Sequence, residues 1–196
     1  MIDARLLQKR LDVPADGIIG RGTLAALFGK MGAGPQRARD LALGANVHFL
    51  THGILDTPLR LAHFMAQTAH ESGGFKYMEE IGSAVYFAKY NGRADLGNTV
   101  PGDGPLFHGR GPIQLTGRAN YRKYGEALGL DFEMNPMMVA MPAVGILVAC
   151  KYWQDRGLNA LADSDNALAI TKRINGGTNG LDDRMRRLAQ AKELIL

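Results

Sequence analysis

Ala66-Gln67-Thr68-Ala69-His70-Glu71-Ser72-Gly73-Gly74-Phe75, followed nine residues after Glu71 by Glu80, is the stretch around which the chain is organised. Upstream, Pro58 suits a first helical position, with Asp56 or Thr57 before it as the cap. Leu61, Phe64, Met65, Thr68 and Ala69 then recur at the three-and-four spacing of a buried helix face. Gly73-Gly74 supplies the stop. Glu71 therefore falls in the last turn, where the negative end of the helix dipole and apolar neighbours both disfavour a charged carboxylate. A carboxyl group held protonated is what a general acid needs. A glutamate at a helix end is more often merely solvated, however, and two within ten residues are common, so the rest of the chain has to add to the case.

The 196 residues suit one domain, or one domain with a small appendage, and 46% hydrophobic content is that of a globular chain with a real core. No apolar run approaches the roughly 18 residues of a membrane span. The start, Met1-Ile2-Asp3-Ala4-Arg5, lacks the pattern of a signal peptide, so a cytoplasmic location is expected. The single cysteine, Cys150, excludes an internal disulfide and lies in an apolar run as a buried thiol. A net charge of +4 favours an anionic partner such as a cell wall. No basic stripe with interleaved aromatics points to nucleic acid.

Residues 1–34 read as a unit. Leu6, Leu7 and Leu11 share a helical face, residues 13–20 form a turn, and residues 23–28 begin a second helix. The order Leu7-Gln8, Leu11, Asp16-Gly17-x-x-Gly20, Thr23, Ala26-Leu27 resembles about half of a peptidoglycan-binding repeat. A helical hairpin packed on the main domain is the competing reading. Residues 36–53 form an Ala/Leu-rich helix with His48 and His52 at i and i+4, a spacing that can present two imidazoles to zinc. Gly74 stands where a second histidine would follow His70-Glu71, so ordinary packing or surface histidines, His63 included, are favoured over a metal site. The long connection of residues 91–111 holds six Gly and two Pro and is expected to be ordered, because it runs into the next motif. That motif, Phe107-His108-Gly109-Arg110-Gly111-Pro112-Ile113-Gln114-Leu115-Thr116-Gly117-Arg118-Ala119-Asn120-Tyr121, reads as a glycine-tight approach and a short extended piece. A helix follows from about Gly117 with Thr116 as cap. It lacks the Lys-Ser/Thr of a phosphate loop.

His70-Glu71-Ser72-Gly73-Gly74-Phe75, Glu80, Gly109-Arg110-Gly111-Pro112-Ile113-Gln114-Leu115-Thr116 and Ile174-Asn175-Gly176-Gly177 together resemble glycoside hydrolase family 19 over residues 40–196. That family comprises plant-type chitinases and related phage or prophage endolysins. The resemblance implies a mainly α, two-lobed, lysozyme-like fold with a small β element and a central cleft, residues 35–196 being the catalytic domain. It implies Glu71 as general acid, Glu80 as general base and Thr116 as a holder of the attacking water. His70, Gln114, Asn120 and Asn175 would contact sugar, and Arg184 would support the acid. Glu79 adjoins Glu80, and the residues alone leave it open as the base; the spacing in endolysin-like members favours Glu80. Asn179 stands where chitinases of the family often carry an acid, so their charge network is not expected in full.

The remainder reads as helical support. Pro142 opens a helix through Trp153, whose ring is expected in the core rather than on sugar. Residues 167–174 form a short helix, and residues 181–196 an amphipathic closing helix with Arg184, Arg186, Arg187 and Lys192 on a solvated face. The whole predicts a monomeric endolysin that hydrolyses β-1,4 bonds of peptidoglycan glycan strands by an inverting two-carboxylate mechanism. It would need no cofactor or metal, and neither nucleic acid nor stable membrane insertion is expected. The rivals are a chitinase acting on chitin oligosaccharides, a lytic transglycosylase, a zinc amidase or peptidase, and a non-catalytic wall-binding protein.

Overall fold

The computed structural model describes all 196 residues. Its helices are α1 (Ala4–Arg10), α2 (Arg21–Lys30), α3 (Pro35–Thr51), α4 (Pro58–Glu71), α5 (Ala84–Phe87), α6 (Asp103–Leu106), α7 (Arg118–Leu128), α8 (Pro142–Asp155), α9 (Leu158–Asp163), α10 (Ala167–Asn175) and α11 (Leu181–Ile195). The mainly α expectation holds. The small β element shrinks to two isolated antiparallel bridges, Glu79 with Arg110 and Arg110 with Leu115. No helix is long and apolar enough to cross a membrane.

The centre of the molecule is α4. Thr57 caps it, accepting from the Arg60 amide at 3.2 Å, while Asp56 instead pairs with Arg60. Every residue in positions 61–69 is buried, so the helix has no solvent face at all. Buried polar groups must then find partners inside. Thr68 donates to the Phe64 carbonyl at 2.7 Å, Ser72 to the Thr68 carbonyl at 2.6 Å, and His63 shares 2.7 Å with Asp165. Against α4 packs α11, through Leu188, Ala191 and Ile195. Contrary to the expected solvated basic face, Arg184 of α11 is buried against α4. Arg187 is held by Asp183 and Lys192 by Asp165.

Aromatic edges tie the layers together. Phe28 of α2 stands 6.2 Å from Phe49 of α3, Phe49 is 5.0 Å from Phe64 of α4, and Phe64 is 5.3 Å from Trp153 of α8. Trp153 is a core residue, its indole N–H donating to Asn159 at 2.8 Å, and burial pushes the Cys150 thiol upward in pKa. Where α3 crosses α8 the backbones nearly touch: a methyl on Gly44 would lie 2.5 Å from the Ala143 carbonyl oxygen.

Residues 1–34 share this core. Leu7, Leu11, Leu24, Leu27 and Phe28 belong to the same buried cluster as α3, α4 and α8. Gln8 explains the spacing of the repeat-like motif. Its buried amide donates to Asp16 at 2.7 Å, to the Ile18 carbonyl at 3.0 Å and to Thr23 at 3.1 Å, while its oxygen accepts from the Gly17 amide at 2.8 Å. Phe28 also meets Phe75 edge-on at 5.0 Å, directly beneath the turn that ends α4. That turn runs through three left-handed residues, Gly73, Gly74 and Phe75, with φ of 59°, 74° and 62°. Positive φ is costly for a bulky residue, and full burial of the Phe75 ring against Phe28 offsets it.

The long connection is ordered by two polar clamps. Buried Asn98 donates to the Tyr90 carbonyl at 3.0 Å and accepts from the Arg118 amide at 2.8 Å. Arg118 binds Asp103 at 2.6 Å and Glu133 at 2.7 Å, and Arg122 also reaches Glu133 at 2.7 Å. The expected Thr116 cap is therefore not made. Helix α7 starts at Arg118 after Gly117, the Thr116 hydroxyl donates to the Gln114 carbonyl at 2.9 Å, and Asn98 serves the helix end in its place.

Two tests follow from this packing. Phe28→Ala is expected to cost about 3–5 kcal/mol as a core truncation, lowering one cooperative melting transition of the whole chain. An unmoved main transition beside an early small one would mean that residues 1–34 melt independently. The second test concerns acid. Hydrogen bonds from Arg122 and Arg118 hold Glu133 down at about 2, from an ordinary 4.5, and Arg118 likewise lowers Asp103. A depressed carboxylate stabilises the fold above its unfolded pKa and loses that contribution as pH falls through the folded value. Urea unfolding should weaken from pH 4.5 towards 2, and Glu133→Gln should flatten that slope; an unchanged slope would remove Glu133 from the account.

Candidate functional site

A cavity of about 240 Å³ opens where α4 ends, walled by Glu71, Gln114, Thr116, Asn120, Tyr152, Arg156 and Asn175 among others. Five of the residues singled out in the sequence thus meet at one place, although they come from α4, the segment before α7, α7 itself and α10. Burial of residues 61–69 is what delivers Glu71 there: α4 emerges from the core only at its two ends.

The surround of Glu71 differs from the apolar one expected. Arg184, 2% exposed, donates Nη2 to Glu71 Oε1, Nη1 to Gln67 Oε1, and Nε to the Asn179 carbonyl at 3.4 Å. Glu71 is the single anion this guanidinium touches; its other two acceptors are neutral. Oε2 of Glu71 has no protein partner and is free for a ligand.

Glu80 lies next to the cavity, across Gly109. Its amide donates to the Gly109 carbonyl at 2.8 Å, and its Oε2 accepts from the Gly109 amide at 3.2 Å. A methyl placed on Gly109 would stand 2.8 Å from Gln114 Oε1 and 3.3 Å from both Glu80 Oε2 and Thr116 Oγ1, so three oxygens converge on this glycine. Glu79 faces elsewhere, as neighbours in an extended bridge do. Its Oε1 accepts from His108 Nε2 and Arg110 Nε, both at 2.9 Å.

Other residues sit as follows. Gln114 donates to the Gly111 carbonyl at 3.0 Å and Asn120 to the Thr116 carbonyl at 2.7 Å, each leaving its side-chain oxygen without a protein donor. Asn175 spends its amide on the Asn179 carbonyl and its oxygen on the Gly177 amide, both at 2.8 Å, and so shapes the wall. His70 is not in the cavity. One residue earlier on α4, it turns to α11, where its Nδ1 is 2.7 Å from Asp183, and its ring packs on Gly180. The ring centroids of His48 and His52 stand 6.1 Å apart, and no third His, Cys, Asp or Glu completes a metal-binding group with them.

Sequence reasoning missed Tyr90 and Lys89, which reach Glu80 at 3.0 and 3.3 Å. Both lie in the irregular run after Ser83, where no periodic pattern marks them. Tyr152 and Arg156 were also missed; both look like ordinary ends of the apolar helix α8.

A family model described as chitinase class I matches residues 45–164. A Haemophilus influenzae protein described as containing a glycosyl hydrolase family 19 domain is 31% identical over 154 residues, which is 64% of this chain and 75% of that one. An endochitinase of Arabidopsis thaliana is 33% identical over 172 residues, covering 80% of this chain and 58% of its own length. Among solved structures, chitinase C from Streptomyces griseus aligns with a TM-score of 0.71 at 24% identity, over 87% of this chain and 75% of that one. The class IV chitinase from Zea mays aligns with a TM-score of 0.67 at 22% identity, over 90% and 92%. These two likenesses speak to the fold, and the sequence matches carry the family. With Glu71 and Glu80 set in that helical scaffold, the chain belongs to glycoside hydrolase family 19.

Proposed function

We propose that this chain is an endolysin that hydrolyses β-1,4 glycosidic bonds of bacterial peptidoglycan by an inverting mechanism, acting on the wall after release from the cytoplasm of the host cell. The observation that carries the chemistry is one carboxylate lining the cavity, Glu71, with a second, Glu80, beside it on the Gly109 surface next to Thr116 and Gln114. Glu71, with Oε2 free, faces the bond to be cut. Glu80 shares the Gly109 surface with Thr116 and Gln114. In this reading Glu71 gives its proton from Oε2 to the leaving oxygen. Arg184, already in contact with Oε1, stabilises the carboxylate as it forms. Glu80 takes a proton from a water that Thr116 helps to hold, and that water attacks the opposite face of the sugar. Tyr90 and Lys89 fix the Glu80 carboxylate from behind.

The peptidoglycan assignment draws on the repeat-like N-terminal motif, whose turn Gln8 holds in place, and on Asn179 in place of an acid. A chitinase is the second reading, favoured by the names of the relatives from Arabidopsis thaliana and Zea mays. Turbidity loss on purified peptidoglycan, run beside colloidal chitin with mass analysis of products, separates the two. Products carrying an added water support hydrolysis; anhydro ends would point to a transglycosylase. EDTA should leave the rate unchanged, and activity lost to EDTA and regained with zinc would redirect the reading to an amidase or peptidase.

Glu71→Gln is expected to stay folded and to lose about a hundredfold or more in turnover, the usual contribution of a positioned acid. Retention of about a tenth of the rate would remove Glu71 from that role. Product NMR taken before mutarotation should show the α-anomer; a β-anomer would mean a retaining mechanism and would overturn the role of Glu80.

A further inference from the structure

Arg156 is the unexplained charge in the cavity. It follows the last residue of α8, lines the same cavity as Glu71, and lays its guanidinium 3.8 Å over the Tyr152 ring. Its one side-chain hydrogen bond is a long one, 3.5 Å to the Tyr124 hydroxyl. It makes no salt bridge. The adjacent acid, Asp155, is engaged by Lys151 at 2.6 Å, and Glu71 is engaged by Arg184. Beside it Arg173, exposed and also without an acid partner, donates Nη1 to the Arg156 carbonyl at 3.0 Å. Most other arginines around the site are neutralised: Arg110 by Glu79, Arg118 by Asp103 and Glu133, Arg187 by Asp183.

A planar guanidinium laid over an aromatic ring, with no anion on its fork, is a preorganised receptor for a carboxylate. A neutral aminosugar polymer offers it hydroxyl and acetamide oxygens but no anion. We propose that Arg156 binds a carboxylate on the lactyl-peptide substituent of the glycan strand, making this end of the cavity a subsite for acidic, peptide-bearing sugars. The proposal rests on the peptidoglycan reading above. Tyr152 sets the plane of the guanidinium, and its own hydroxyl is fixed by donation to the Ile174 carbonyl at 3.2 Å. Chitin would leave Arg156 without an anionic partner, so the same residue would discriminate between the two polymers.

The test crosses a change in the enzyme with a change in the substrate. Soluble glycan strands with stem peptides, their amines first acetylated, are used with carboxylates intact or converted to amides. Wild type, Arg156→Gln and Arg156→Lys are assayed on both. Amidation should lower wild-type kcat/KM by about tenfold or more, the scale of a charged hydrogen bond, mainly through KM. Arg156→Gln should lose a similar factor on native strands and be indifferent to amidation, while Arg156→Lys should keep part of the sensitivity. Effects of mutation and amidation that simply multiply would overturn the subsite. So would a wild-type rate that amidation leaves unchanged, a comparison that needs no variant. Failure of wild type to cut either form, with colloidal chitin cut, would instead bring down the peptidoglycan reading itself.

Discussion

Nine buried residues in succession leave α4 no side on which to meet solvent, and much of the molecule answers to that constraint. Apolar faces from α3, α8 and α11 surround it, and its internal side-chain polar groups find partners apart from the buried Nδ1 of His63. A helix enclosed in this way can present a reactive group only at an end. Glu71 occupies the last position, and the left-handed residues after it turn the chain away at once. Glu71 thus sits at the edge of the core, at the end of a helix enclosed over nine residues, a placement that suits the proposed role of a carboxylate held in one orientation.

Desolvation of Arg184 follows from the same enclosure. A buried guanidinium needs its donors satisfied, and here two of three acceptors are uncharged. Removing a single partner from such a group is costly because the remaining charge stays buried. Gln67 therefore bears on Glu71 although it does not line the cavity: its oxygen fixes one edge of the fork whose other edge meets Glu71. Beside the cavity Glu80 is held by Tyr90, Lys89 and the Gly109 amide, and its carboxylate stays partly exposed.

What could be read from the residues was what depends on near neighbours in the chain. The start, face and end of α4 follow from Pro58, the apolar spacing and Gly73-Gly74, and α8, α10 and α11 follow from comparable local signals. Contacts across long separations were not legible in this way. Periodicity reported that the face leading to Glu71 is buried, but not that a helix 113 residues later brings an arginine to it. The capping rule placed a hydroxyl just before α7. Gly117, at φ 93°, redirects the chain there, and an amide twenty residues upstream takes over. His70 and Glu71 are adjacent, yet a helix advances about 100° per residue, enough to send one to α11 and the other to the cavity. That Glu79 and Glu80 turn to different partners likewise depends on the bridge to Arg110, a pairing that no local pattern announces.

The Phe28–Phe75 contact bears on how such a chain can be recombined. Wall-targeting segments are attractive as exchangeable cassettes, and the glycine-rich boundary near Gly34 looks like a natural cut. A cut there would pass between two rings of one core and strip the support from the turn that orients Glu71. Chimeras made at that junction would have to carry a matching aromatic with the incoming segment. A fusion placed ahead of α1 would leave the Phe28–Phe75 pair intact and let a foreign targeting module ride on an undisturbed core.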